Sequence, residues 1–146
     1  MITHRHWTLA DISEWSGINY RTIVEWVRKQ LIPTYKQPRD PLLYVHPDDA
    51  EDVVAMCRIT IHGLDGWGRL RDVRERYGVS ASTVTRWVRD GKILMIRTYG
   101  HPLYSVDWVL GYTGGRSREK ALAQARRWDG FRQKHPRVWV KDGEAA

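Results

Sequence analysis

The chain has 146 residues, with 24 Lys/Arg against 17 Asp/Glu and a net charge of +7, a length that fits one or two small domains. Its single cysteine, Cys57, excludes an internal disulfide and any cysteine-based zinc centre. No run reaches the roughly 18 apolar residues of a membrane span and the N-terminus carries no apolar signal core, so the sequence predicts a soluble, intracellular protein that engages no membrane.

The charge is unevenly placed. Residues 1–62 carry 7 Lys/Arg against 8 Asp/Glu, residues 63–111 carry 8 against 5, and residues 112–146 carry 9 against 4. Basic charge therefore rises along the chain, from −1 to +3 to +5. The gradient favours a polyanionic partner for the second half, with a merely solubilising surface as the alternative.

An internal repeat sets the organisation. Leu9 to Ile32 lies over Leu70 to Ile93 without a gap, 61 positions apart. The identical pairs are Leu9/Leu70, Asp11/Asp72, Glu14/Glu75, Gly17/Gly78, Thr22/Thr83, Trp26/Trp87, Val27/Val88, Arg28/Arg89 and Ile32/Ile93. One extra residue in the first repeat then brings Leu43-Tyr44 onto Leu103-Tyr104. A repeat of this length predicts one structural unit per copy, hence domains at 1–62 and 63–112 followed by a tail at 113–146.

In chain order, Leu9 and Ile12 show helical spacing, with Asp11 in the early turns. Gly17 stops that helix and Asn19 is a favoured N-cap for the next. The second helix, about Tyr20 to Lys29, turns Ile23, Trp26 and Val27 inward. Its outward face carries Tyr20, Arg21, Val24, Glu25 and Arg28. A β-hairpin follows, Leu31 to Lys36 and Leu42 to Val45 around the turn Gln37-Pro-Arg-Asp-Pro41, and a further capped helix starts near Pro47-Asp48-Asp49. Cys57 falls on an apolar stretch and reads as a small buried hydrophobe.

The second repeat gives the same series. Leu70 and Val73 open it, Gly78 stops the helix, and Ser80 caps a helix from Ala81 to Asp90. Val84, Trp87 and Val88 face inward, while Ala81, Ser82, Thr85, Arg86 and Arg89 face outward. The strand Lys92 to Arg97, the turn Thr98 to Pro102 and Leu103-Tyr104 form its hairpin, with a capped helix expected near Ser105-Val106-Asp107. Trp15, Trp26, Trp87 and Trp108 are all expected in cores.

Helix, glycine turn and capped helix make a helix-turn-helix. The stretch Arg69-Leu-Arg-Asp-Val, and above all Gly78-Val-Ser-Ala-Ser-Thr-Val-Thr-Arg-Trp-Val-Arg-Asp-Gly-Lys-Ile93, resembles the excisionase and MerR-like class of winged helix-turn-helix domains over about 68 to 112. Residues 7 to 58 resemble the class more weakly, because Gln30 stands where the second repeat has Gly91 and Glu25 where it has Arg86. The resemblance implies a mainly α fold with small β wings (α+β): two tandem winged helix-turn-helix domains plus a basic C-terminal helix. It implies double-stranded DNA as partner, with the second helix of each repeat in the major groove and the wing on the backbone. Ser82, Thr83, Thr85, Arg86 and Arg89 would then be the helix contacts and Arg97 the wing contact.

In the first repeat the matching candidates are Tyr20, Arg21 and Arg28 on the helix and Lys36 and Arg39 on the hairpin. Tyr99 and His101 join Arg97 as candidates for the backbone or minor groove. Each of these is equally a residue of a solvated helix face or of a charge-blunted hairpin edge. No sustained heptad pattern supplies the dimerisation helix of MerR-type regulators, so two readers in one chain would act as a covalent pseudo-dimer.

The tail offers a helix from Arg118 to Lys134, with Ala121, Leu122, Ala125, Trp128 and Phe131 on roughly one side and basic residues elsewhere. Three roles stand level: a phosphate clamp packed through Leu122 and Trp128, a helix for a protein partner or a second copy of the chain, or a solvated end. No catalytic, metal-binding or cofactor site is expected. The six histidines are scattered, His46-Pro-Asp-Asp49 reads as a helix start, and Gly63, Gly66 and Gly68 lack the strand-to-helix setting of a phosphate loop. The expected function is therefore sequence-specific DNA binding in a bacterial or phage cytoplasm. Its use would be that of a small transcriptional repressor, or of an excisionase-like directionality factor of a phage or mobile element acting with a recombinase. The competing class is a protein-interaction module in which one repeat, most readily the first, no longer binds DNA.

Overall fold

The computed structural model describes residues 6–112 and 118–135. Among them are six helices and two small antiparallel sheets, an α+β architecture. The described residues divide into two compact units, 6–61 with 131–135, and 62–112 with 118–130. The Thr113 to Ser117 connection lies outside the described residues, as does the chain beyond His135.

In the first unit β1 (Trp7–Thr8) leads directly into α1 (Leu9–Ser16). A reciprocal cap starts this helix: the Asp11 amide donates to Thr8 Oγ1 (3.1 Å) and the Thr8 amide to Asp11 Oδ2 (3.0 Å). The Asp11/Asp72 identity of the repeat is thereby explained, since the Arg69 amide donates to Asp72 Oδ2 at 2.8 Å in the second unit. α1 ends at Gly17, whose φ of 72° is left-handed, and Gly78 does the same at 64°. A side chain at either position would be strained.

α2 (Tyr20–Arg28) buries Ile23 and Trp26, while Val27 is half-buried. After it the chain forms β2 (Tyr35–Lys36) and β3 (Leu43–Val45), paired through Tyr35/Tyr44 and Lys36/Leu43. The first strand is shorter than the 31–36 run suggests, because Leu31 and Ile32 are buried and feed the core instead of extending the edge. β1 pairs on the other side of β3 and completes a three-stranded sheet in the order β1-β3-β2. α3 (Pro47–His62) closes the unit and buries Val53, Met56, Cys57 and Ile59. Burial pushes the Cys57 thiol up to about 12, so it behaves as the small hydrophobe the pattern suggests.

Trp15 departs from expectation. It is 41% exposed, with its ring set edge-on to Trp7 at 5.3 Å. The helical period places it one step beyond the buried stripe of Leu9, Ile12 and Ser16.

The second unit repeats the plan with α4 (Leu70–Tyr77), α5 (Ala81–Arg89), β4 (Met95–Ile96) and β5 (Leu103–Tyr104). Its core gathers Val73, Val84, Trp87, Ile93 and Val109, flanked by Leu70, Tyr77, Val79, Val88, Tyr104 and Val106. Each fully buried aliphatic or aromatic side chain of this kind contributes about 1.5–3 kcal/mol. The third strand shrinks here to one bridge, Gly68 to Tyr104.

No α-helix forms at Ser105 to Asp107. Those residues make a turn, for the reason that their polar groups are held elsewhere. The Ser105 amide donates to the Leu94 carbonyl (2.9 Å), Ser105 Oγ accepts from the Leu94 amide (2.8 Å), and the Leu110 amide donates to the Lys92 carbonyl (2.8 Å). The segment is bonded to the chain before β4, and the Leu110 amide, which a helix would turn back on the Val106 carbonyl, is taken by Lys92.

α6 (Arg118–Lys134) forms over the expected span. Its buried residues are Ala121, Ala125, Trp128 and Phe131, whereas Leu122 is only half-buried. Leu122 lies one residue beyond the stripe set by the 3.6-residue period, so Trp128 and not Leu122 carries the packing. At the end of α6, Lys134 Nζ sits 2.8 Å and His135 Nε2 3.1 Å from Asp49 Oδ1 in the first turn of α3.

Candidate functional site

The candidates of the second repeat lie on α5 and the hairpin after it. Ser80 caps α5, its Oγ accepting from the Thr83 amide at 3.2 Å. The same hydroxyl lies 3.0 Å from both Ser82 Oγ and Thr83 Oγ1, which ties the first turn together. Thr85 Oγ1 donates back to the Ala81 carbonyl at 3.1 Å.

Ser82, Thr85, Arg86 and Arg89 are exposed on one side of α5, and Thr83 is half-buried against the cap. Arg89 Nε stands 3.4 Å from Asp90 Oδ1. Arg86 enters no ion pair among the described residues. The helix thus presents hydroxyls from its first turn and an uncommitted guanidinium from its second, a set able to donate to phosphates and to acceptor-rich base edges.

The hairpin turn is folded on itself. Thr98, buried, donates from Oγ1 to the His101 carbonyl (2.7 Å) and accepts from the Gly100 amide (3.0 Å). Arg97 is half-buried and His101 exposed. Tyr99 is 4% exposed, which removes it from the candidates for direct contact.

The first repeat places its candidates differently. Asn19 caps α2 through Oδ1, which accepts from the Arg21 amide at 2.8 Å. Tyr20, Arg21 and Arg28 are exposed, but Arg28 stands 3.6 Å from Glu25 of its own helix. Lys36 and Arg39 are exposed on the hairpin. Arg39 has a φ of 63°, a left-handed turn conformation. Asp40 holds that turn: it accepts from the Tyr44 hydroxyl and from the Leu42 amide (2.9 Å). The Tyr44 hydroxyl, then the Leu42 amide, hold the Asp40 carboxyl below its ordinary value.

The recognition candidates of each repeat therefore share a helix and hairpin of one unit, and two sets of side chains were less visible in the sequence. The Lys134/His135/Asp49 contact joins residues more than 80 positions apart, beyond the reach of any local pattern. The other set is Arg69, at the N-cap of α4, with Arg71 and Arg74 on the helix, whose signal lay in the repeat itself. No helix among the described residues is long and apolar enough to cross a membrane, and no group of three or more His, Cys, Asp or Glu there is placed to hold a metal ion. Comparison with known proteins finds no matching family model, no matching curated protein and no matching solved structure.

Proposed function

We propose that the chain is a sequence-specific double-stranded DNA-binding protein built from two tandem winged helix-turn-helix domains. In this reading α5 enters the major groove and the β4–β5 hairpin acts as its wing. The observation that carries it is the exposed face of α5, where Ser82, Thr85, Arg86 and Arg89 stand together on a helix capped by Ser80 after a glycine turn. Helices of this kind present their outward residues to base edges, and an arginine can take both acceptors of guanine. Two uses fit: a small transcriptional repressor, or an excisionase-like factor that bends DNA for a recombinase.

A second reading belongs to the first unit alone. There the Glu25 carboxylate sits beside Arg28 and would also face the phosphates, which weakens α2 as a reader. That unit would contribute protein contact instead of base contact.

Arg86→Ala and Arg28→Ala separate the two. For Arg86→Ala we expect a loss of about 1–3 kcal/mol in duplex affinity and relaxed preference at one base position. Arg28→Ala should cost less than half as much. Equal losses would make both helices readers, and no loss from either would overturn the assignment of α2 and α5 as recognition helices.

A further inference from the structure

The repeat pairs each residue of α1 with one of α4, and the two segments share Leu9/Leu70, Asp11/Asp72 and Glu14/Glu75 but part at four positions. Where the first repeat has Thr8, Ala10, Ser13 and Trp15, the second has Arg69, Arg71, Arg74 and Arg76. Four neutral positions have become four cations in a unit whose core positions are nearly unchanged. A solvated helix would ordinarily interleave the two signs, and only Asp72 and Glu75 do so here.

The four arginines are not equivalent. Arg76 is committed: it pairs with Asp107 and lies over the Tyr77 ring, 5.6 Å from its centroid. Asp107, first by a side-chain hydrogen bond, raises the Arg76 guanidinium above its ordinary value. Arg69, Arg71 and Arg74 instead line an open depression with Leu70, His101 and Tyr104. All three are exposed, and none enters an ion pair among the described residues. The nearest acid on the helix, Asp72, is occupied in capping it, and Glu75 does not line the depression.

The opposite wall comes from the turn between β4 and β5. The Thr98 hydroxyl fixes that turn by bonding the His101 carbonyl at 2.7 Å, so the wall is preformed and not a loose loop. One side of the depression is therefore a helix with guanidiniums at i and i+3, which share a face. The other is the tip of the proposed wing.

We infer that the depression between the first half of α4 and the β4–β5 turn is a second phosphate-binding surface, on which Arg69, Arg71 and Arg74 grip the DNA backbone beside the site read by α5. The inference rests on the DNA-binding reading and adds residues to it that carry no base preference. Backbone contacts fix register and supply the salt-dependent part of affinity.

The test is the salt dependence of binding by the full chain to a mixed-sequence duplex, for the natural protein and for the double variant Arg71→Ala/Arg74→Ala. Each lost phosphate contact lowers the log–log salt slope by about 0.9, so the double variant should lose about 1.8. Its affinity should fall alike for every duplex sequence. Arg71→Lys/Arg74→Lys should keep most of the slope, and unchanged thermal unfolding of both variants would confirm that only the surface was altered. Binding by the natural protein with an unchanged slope in the alanine variant would overturn this surface and leave α5 as reader. Absence of duplex binding by the natural protein would overturn both.

Discussion

The two units start from one repeated segment and part company at their surfaces. Ile23 and Val84 are each all but fully buried, as are Trp26 and Trp87, and the helix stop at Gly17 recurs at Gly78. Close packing allows little change at such positions. Outside them, α4 and its N-cap carry arginines where α1 and its N-cap carry Thr8, Ala10, Ser13 and Trp15, and α5 carries Arg86 where α2 carries Glu25. The contrast teaches that one scaffold can keep its core and assign its outward faces separately. In our reading the second unit takes the polyanion, and the first takes less of it or none.

The contrast also reaches one buried position. The register that brings Leu43-Tyr44 onto Leu103-Tyr104 places Asp49 where the second unit has Val109. Both are buried, at 6% and 0% exposure. Val109 needs no partner. Asp49 does, and burial alone would raise its carboxyl, yet hydrogen bonds and charge from Lys134 and His135 outweigh it and hold the carboxyl below 3.8.

Replacing Asp49 by Asn sharpens this difference most. It should cost about 1 kcal/mol at neutral pH, a modest figure because the Lys134 side chain is 55% exposed and screened by water. A carboxyl lowered by folding stabilises above its unfolded value and loses that contribution as pH falls through the folded one. The gap between natural protein and Asp49→Asn should therefore be full near neutrality and close below about pH 4. Lys134 is raised above 10.5, chiefly by its bond to Asp49, so its share persists into alkali and fades as pH rises through that higher value. Urea unfolding across pH checks this, and a gap that widens in acid would contradict it.

A smaller effect separates the ends of α2 and α5. Gly91 has a φ of 76°, and its counterpart Gln30 adopts 60° with a full side chain. The left-handed conformation costs a side-chain residue about 1–2 kcal/mol, partly offset by the greater freedom that glycine loses on folding. Gly91→Gln should destabilise by about 0.5–1 kcal/mol, and Gln30→Gly should stabilise by about 0.5 kcal/mol. Thermal unfolding of both reads the effect, and a shift in the same direction for both would refute it.

What the sequence made legible follows from how local each signal is. The caps Asn19 and Ser80, the stops Gly17 and Gly78, and the inward stripe of Ile23 and Trp26 are all set within a few residues, and all appear as expected. The turn at Ser105 to Asp107 has the local pattern of a helix start, but its competing bonds go to Lys92 and Leu94, more than ten residues back. Trp15 has the size and apolarity of a core residue, yet the helical period sets it off the stripe of Leu9, Ile12 and Ser16 and it stays exposed. Tyr99 sits in a polar turn, where its burial leaves no local trace in the sequence. Pairing of β1 with β3 was invisible for a similar reason: two residues, Trp7 and Thr8, are too few to show a period.

The most direct test of the central claim is selection of bound sequences from random duplex DNA by the intact chain at near-physiological salt. The account predicts enrichment of a short motif that Arg86→Ala relaxes at one base pair, with or without a weaker second half about one helical turn away. No enriched motif, with binding that vanishes as salt rises, would contradict it and leave only non-specific phosphate contact.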